Sequence, residues 1–346
     1  MKGLIMTAPL TMGFQEIALR EIHPNEVKVN VKACGICTWE QKAYTKTTYP
    51  FFGGHEICGI VEAIGSEVKT DIQVGDTVAV ASLTRCGTCY YCRTNQDNLC
   101  LYGESKTVDG EAWGPAGFAE HVIARDYEVY RLDPQIDPAL GSLAEPVACV
   151  LRSVEMGELD YGDTVVVQGA GIMGMLHIKL ARLKGARVIV SEPDAGRRDK
   201  ALAAGADHAV DPFQTDLKQF VEDLNGGIGA KAVFFTAGGP KAVEQALEIL
   251  AMGGTLVLYG SLNPDTPIAL SPNKVHYTEI RITGASKHTR KSFQEAANLL
   301  SQGHIDVSDL VSERVPFAQY DYAFERAVSP DTFRVVFLME DETEKA

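Results

Sequence analysis

Basic residues are scarce in this 346-residue chain: 32 Lys and Arg stand against 46 Asp and Glu, a formal charge of −14. An acidic chain without a basic run lacks the electrostatic footprint that binds nucleic acid or an anionic membrane surface. Long apolar runs are missing as well. Hydrophobic residues make up 45% of the sequence, yet no stretch approaches the roughly 18 uninterrupted apolar residues of a bilayer span. Residues 1–14 carry one Lys and a short apolar run broken by Thr and Pro, without the length of a signal h-region, and read as a first strand. There is no internal repeat, low-complexity tract or Pro-rich linker. The ordinary balance of apolar and charged residues excludes a disordered or fibrous chain. At roughly 150 residues per domain, the length predicts two domains of a soluble protein, expected in the cytoplasm.

Cysteine, by contrast, is plentiful. The eight cysteines are Cys34, Cys37, Cys58, Cys86, Cys89, Cys92, Cys100 and Cys149, and a reducing compartment disfavours their pairing as disulfides. Four of them, Cys86, Cys89, Cys92 and Cys100, fall within fifteen residues, separated by two, two and seven. That spacing suits a closed tetrahedral zinc on four thiolates. A disulfide pair and an iron–sulfur cluster are the competing readings. No Pro follows the last Cys and no second cluster motif is present, which favours zinc. Four thiolates quench the Lewis acidity of the metal, so this zinc is expected to fasten a lobe at about 84–102.

The texture of the chain changes along its length. The first 140 residues read as β-rich: Val27, Val29 and Val31 alternate with polar residues over 26–32, and short apolar runs recur at 77–81 and 119–123. From about 163 to 284 near-continuous apolar runs at 164–168, 187–191, 232–235 and 255–259 alternate with helical patterns such as 241–252. Buried parallel strands with crossover helices have this look. The tail, 285–346, is mixed and ends in a charged segment, 340–346, expected to fray. The fold class is therefore α/β, with a parallel-sheet domain inserted between two β-rich pieces.

Two further constellations carry chemistry. Gly169, Gly171 and Gly174 follow the strand pattern at 164–168 and open a helical run at 175–184, the setting that makes a glycine triplet a dinucleotide turn. Glu192 ends the second strand about 20 residues on, where a carboxylate grips the ribose hydroxyls and repels a 2′-phosphate. NAD is expected over NADP; in the alternative, Arg197 and Arg198 capture a 2′-phosphate. Cys37, with His55 and Glu56 in a glycine-flanked stretch, offers the Cys, His and carboxylate mixture of a catalytic zinc. Cys34 rivals Cys37 as the thiolate. Cys58 and Cys149 read as buried inert thiols, and His121, His177 and His208 as ordinary surface or core residues.

Together with Gly75–Val78 (75–78), 144–147, 273–279 and 282–284, these pieces resemble the medium-chain zinc-dependent alcohol and polyol dehydrogenases over essentially the full length, nearest the sorbitol and threonine dehydrogenase branch. The resemblance implies a GroES-like β-barrel catalytic domain, 1–147 plus 285–346, with a Rossmann domain at 148–284 and the active site in the cleft between them. It makes Cys37 and His55 zinc ligands, Glu56 a ligand or near-ligand, and Glu145 the third ligand or a water-holding carboxylate. One thiolate and one carboxylate neutralise the ion, which then lowers the pKa of bound water to about 7 from about 15.7. Met173, Arg197, Ala285 and Arg334 join the cofactor site, Arg334 reaching a phosphate. The implied function is hydride transfer between a secondary alcohol or polyol and NAD, with two zinc ions per chain, in a homodimer or homotetramer joined through the Rossmann domain. Threonine-type amino-alcohol oxidation is the alternative enzyme, and a non-catalytic cofactor-binding protein the alternative class.

One stretch departs from the family. After Cys37 the family usually has a small residue, Ser or Thr, Asp, and a His two further on. Here the residues are Thr38, Trp39, Glu40, Gln41 and Lys42. Glu40 keeps a carboxylate suited to orienting a ligand histidine. Trp39 and Lys42 replace the proton relay, which leaves Thr38, Lys42 or water to carry the proton. Trp39, Lys42 and Lys287 are candidate pocket residues.

Overall fold

A computed structural model describes residues 1–103, 107–108 and 112–339; the charged tail at 340–346 lies outside them. The chain divides into two compact units, 1–148 with 288–346, and 149–287. Among the described residues no helix is long and apolar enough to cross a membrane.

The first unit is built on the strand Glu26–Gly35, whose alternating Val27, Val29 and Val31 are all buried. One edge of this strand pairs antiparallel with Glu56–Ile64 along its length. The other edge is shared: residues 26–30 pair with His121–Arg125, and 33–35 with Arg334–Leu338. The sheet continues through Thr77–Ala81 to Val129–Arg131 on one side and to Val311–Pro316 on the other. Three segments distant in sequence thus meet on one strand. The opening stretch forms a hairpin, Lys2–Ala8 with Thr11–Glu16, rather than one strand.

The second unit is a six-stranded parallel sheet. Its order runs His208–Val210, Arg187–Ser191, Thr164–Gln168, Ala230–Phe235, Leu250–Leu258, Arg281–Gly284. Numbered within the unit this is 3-2-1-4-5-6, the doubly wound arrangement whose crevice lies beyond the carboxyl ends of the strands. The expected helix at 241–252 is shorter: Pro240–Ile249 is helical and the strand begins at Leu250, where it already pairs with Ala230. A continuous apolar run gives no period by which to place such a boundary.

The turn after the first strand of this sheet shows why glycine stands there. Gly169 takes φ of +95°, and a Cβ at Gly174 would lie 1.9 Å from the Gly169 carbonyl oxygen, so the helix Ile172–Leu183 starts against the backbone of the turn. His177 on that helix is fully buried. Its Nδ1 lies 2.7 Å from the Met173 carbonyl and its Nε2 2.8 Å from Ser153 Oγ. A carbonyl only accepts, so Nδ1 carries the proton and the Ser153 hydroxyl donates to Nε2. Burial pushes the His177 pKa down to about 4, which keeps the ring neutral.

Candidate active site

The register of two strands creates the site. Gly35 pairs with Glu56, so the residues just beyond the end of one strand lie beside those just before its antiparallel neighbour. Cys37 follows the first strand and His55 precedes the second. Ile36 is pinned from both sides: its N–H donates to the Val335 carbonyl at 3.0 Å, and its carbonyl accepts from Arg334 Nη1 at 2.8 Å. Cys37 is the N-cap residue of the helix Thr38–Thr45, and its sulfur makes no capping hydrogen bond. Ligand atoms of Cys37, His55 and Glu56 all lie within 4.8 Å of one another. Cys34 is outside this group, fully buried, with burial and then Glu40 and Glu56 holding its pKa well above the ordinary thiol value.

Carboxylates converge on the group. Glu40 Oε1 accepts from the Gly54 N–H at 3.0 Å and lies 2.6 Å from His55 Nδ1. With Nδ1–H donated to a carboxylate, Nε2 presents its lone pair outward, the orientation a metal needs. Burial opposes charge on His55, but Glu40 and Cys37 outweigh it and raise the pKa well above 6.5. Glu145, in the helix Ala144–Met156, brings Oε2 to 4.0 Å from His55 Nε2. Glu56 is fully buried, and burial lifts its pKa to about 7 despite Arg334. Arg334 Nη2 is 2.8 Å from Glu56 Oε1, but neither Glu56 oxygen has a hydrogen bond of good geometry. Glu56 is thus ion-paired on one side yet keeps acceptor capacity, and a further cation or donor would offset the cost of its burial. The donor chemistry fits a divalent zinc: one sulfur, one imidazole and a carboxylate.

Arg334 corrects an expectation. It is 1% exposed, and its guanidinium is committed to Glu56 and the Ile36 carbonyl, not presented to a phosphate. Thr38 and Lys42 are exposed on the helix that Cys37 caps. Trp39 has its ring 5.5 Å from that of His55. Phe51 and Trp113 complete an aromatic corner there and were absent from the sequence expectations. Strand pairing over some sixty residues joins them (Phe51 bridges Trp113), and no local pattern signals it.

The four-cysteine lobe has its own geometry. Cys86 Sγ and Cys92 Sγ are 3.9 Å apart, and Cys89 Sγ and Cys100 Sγ 4.0 Å. A tetrahedron with metal–sulfur bonds of about 2.3 Å has edges of about 3.8 Å, whereas a disulfide needs about 2.05 Å. All eight cysteines are free thiols. Backbone N–H groups of Thr88 and Cys89 donate to Cys86 Sγ and hold its pKa down to about 6. The lobe is tied down by charge: buried Asp97 accepts from Arg290 Nε at 2.8 Å, and Arg85 Nη2 donates to the His288 carbonyl at 2.8 Å.

In the second unit Glu192 is buried at the end of the strand Arg187–Ser191. Its Oε2 accepts from the Ala170 N–H at 2.8 Å and its Oε1 from the Asp194 N–H at 2.9 Å. Arg198 Nη1 donates to the carbonyls of Glu192 and Pro193. Arg197 is half-buried in the first turn of the helix Ala195–Ala203. Ala285 is buried, with its N–H on the Leu258 carbonyl, and Lys287 is exposed with φ of +60°.

A metal on four thiolates in the lobe makes a prediction for Cys92→Ser. Metal content should fall by one equivalent per chain. The unfolding midpoint should drop by roughly 5–10 °C, the shift given by a loss of about 2–3 kcal/mol in a domain of this size. A variant that keeps its midpoint and loses all turnover would show that the two cysteine sites have been assigned the wrong way round.

Residues 23–134 match the alcohol dehydrogenase GroES-like domain, and residues 173–302 the zinc-binding dehydrogenase domain. L-threonine 3-dehydrogenase of Pyrococcus horikoshii is 31% identical over 334 residues, 94% of each chain. Sorbitol dehydrogenase of Halalkalibacterium halodurans is 29% identical over 346 residues, covering 97% of this chain and 98% of that one. Among solved structures, a protein described as a zinc-binding dehydrogenase from Sinorhizobium meliloti, bound to NADP, has a TM-score of 0.86 at 29% identity, over 97% and 98% of the two chains. With one domain of the family matched in each half and a relative above 30% identity across nearly its whole length, the chain belongs to the zinc-dependent medium-chain alcohol and polyol dehydrogenases, oxidoreductases that act on CH–OH groups.

Proposed function

We propose that this chain oxidises a secondary hydroxyl of a polyol or sugar-type substrate with NAD. In this reading Cys37, His55 and Glu56 hold a catalytic zinc, with Glu145 as a further carboxylate beside them, and Cys86, Cys89, Cys92 and Cys100 hold a structural zinc. The observation that carries it is the gathering of one thiol, one imidazole and one carboxylate within 4.8 Å. When bound, zinc supplies a Lewis acid that acidifies a hydroxyl near neutral pH, and the nicotinamide supplies a hydride acceptor. Glu40 fixes the His55 tautomer, and Arg334 balances Glu56. No hydroxyl stands at position 39, so the released proton leaves through solvent at the exposed residues Thr38 and Lys42.

Glu192 supports NAD. Two backbone N–H groups hold its carboxylate at the end of the second strand, and Arg198 is spent on neighbouring carbonyls. The exposed outer edge of the last strand, Arg281–Gly284, supports assembly into a homo-oligomer through this unit. Free thiols throughout support a cytoplasmic setting. A second reading, amino-alcohol oxidation, is favoured by the threonine dehydrogenases at 30–31% identity; rates on a panel of polyols against threonine separate the two.

Fully loaded protein should contain two zinc ions per chain. Cys37→Ser should remove one of them and lower NAD-linked oxidation by several orders of magnitude, while NADH binding followed by its fluorescence stays within about twofold. Turnover that survives Cys37→Ser would defeat the assignment. Glu192→Ala should raise the NAD Michaelis constant by about tenfold or more, from the loss of about 1.5–3 kcal/mol of charge-assisted hydrogen bonding, and make NADP relatively better. A wild-type enzyme that prefers NADP would contradict it.

A further inference from the structure

The chain has two tryptophans, and both stand at the candidate active site. Trp39 lies in the first turn of the helix Thr38–Thr45, two residues beyond Cys37. Its ring meets Phe51 edge-on at 5.1 Å, His55 at 5.5 Å and Trp113 at 6.3 Å. The layer beneath is rigid. Phe51 is fully buried and 4.8 Å from Trp113. Trp113 is fixed by its carbonyl, which accepts from the Phe52 N–H at 2.8 Å, and by its indole N–H, which donates to the Thr48 carbonyl.

Trp39 covers the fully buried Phe51 with one side only. Trp39 is 43% exposed, and its indole N–H has no hydrogen-bond partner among the described residues. A rigid aromatic face and a free donor therefore stand beside His55. A substrate hydroxyl held at the Cys37, His55 and Glu56 group would lie near this ring, whose centroid is 5.5 Å from that of His55.

We infer that Trp39, buttressed by Phe51 and Trp113, is a specificity-determining platform that selects a neutral ring-form polyhydroxy substrate, a pyranose or a cyclitol, over open-chain alditols. The inference rests on the dehydrogenase reading above and adds the substrate class. The faces of an aromatic ring are electron-rich, and C–H bonds on hydroxylated carbons point their positive ends at such a face. A six-membered ring presents several of these C–H bonds on one side, preorganised. An open-chain polyol offers fewer at once and loses rotamer freedom when it is held flat. Charge narrows the class further. Even with a divalent ion bound, Glu40, Glu56, Glu145 and a Cys37 thiolate outnumber the ion and Arg334 by one negative charge, which disfavours a phosphate or carboxylate next to the reacting carbon.

The test uses zinc-loaded enzyme with NAD and two sets of probes, the cyclic myo-inositol, scyllo-inositol, D-glucose and D-galactose, and the open-chain sorbitol and galactitol. At least one cyclic probe should exceed both alditols in kcat/KM by tenfold or more. Trp39→Ala should cut that preference roughly tenfold, mainly through KM, while Trp39→Phe, which keeps a ring face, retains most of it. A second readout needs no turnover. Because both indoles are at the site, binding of the preferred cyclic probe should change intrinsic tryptophan emission without NAD; Trp113→Phe should keep the change and Trp39→Phe lose it. Preference for the alditols, a preference untouched by Trp39→Ala, or an emission that ignores cyclic probes would overturn the inference. Failure of the dehydrogenase reading looks different: no alcohol is oxidised with NAD, and the emission change alone then decides whether Trp39 is a platform.

Discussion

The pairing of Gly35 with Glu56 is the constraint on which the catalytic unit depends. It sets the antiparallel register that brings Cys37 and His55 out at the same end of two adjacent strands. It also leaves room for the Glu56 carboxylate, because a Cβ on Gly35 would lie 2.2 Å from Glu56 Oε2. A one-residue slip would turn each side chain to the opposite face of the sheet. The same strand is held on its other edge by Arg334–Leu338, near the end of the described chain. The donor group is therefore assembled by long-range pairing.

Electrostatics then leave the group able to take a cation. Glu40 and Glu56 are both fully buried; Glu40 lies against His55 Nδ1 and the Gly54 N–H, and Arg334 answers Glu56. Burial lifts the Glu56 pKa to about 7 against the pull of Arg334 and His55, so a further positive charge would favour the ionised carboxylate. A divalent ion among Cys37, His55 and Glu56 would supply that charge. The four-cysteine lobe is the opposite case: its sulfurs lie within 4.8 Å of one another, and four thiolates would close every position of a zinc, which suits anchorage. Asp97, Arg85 and Arg290 carry that anchorage into the body of the unit.

Chemistry that depends on residue type was legible in the sequence; chemistry that depends on burial was not. Cys86, Cys89, Cys92 and Cys100 announce themselves by spacing, and Cys37 with His55 and Glu56 by an unusual ligand mixture. The parallel sheet showed in its apolar runs because both of its faces are covered. The boundary at Ile249 and Leu250 did not, since helix and buried strand share the same apolar composition there. Arg334 carries a phosphate-binding charge in the sequence, and only packing shows that Glu56 and the Ile36 carbonyl consume it. Trp113 was invisible for the same reason, because its partnership with Phe51 and Trp39 exists only after the strands pair. Its rarity, one of two tryptophans in the chain, was the one available signal.

We propose two chemically different metal centres in one chain, with Cys37 in the reactive one. Anomalous diffraction across the zinc K edge from crystals of zinc-loaded protein tests it most directly. Two anomalous peaks per chain are expected, one enclosed by Cys86, Cys89, Cys92 and Cys100, the other bonded to Cys37 Sγ and His55 Nε2. A single peak in the cysteine lobe, or a second peak bonded to neither Cys37 nor His55, would contradict the proposal.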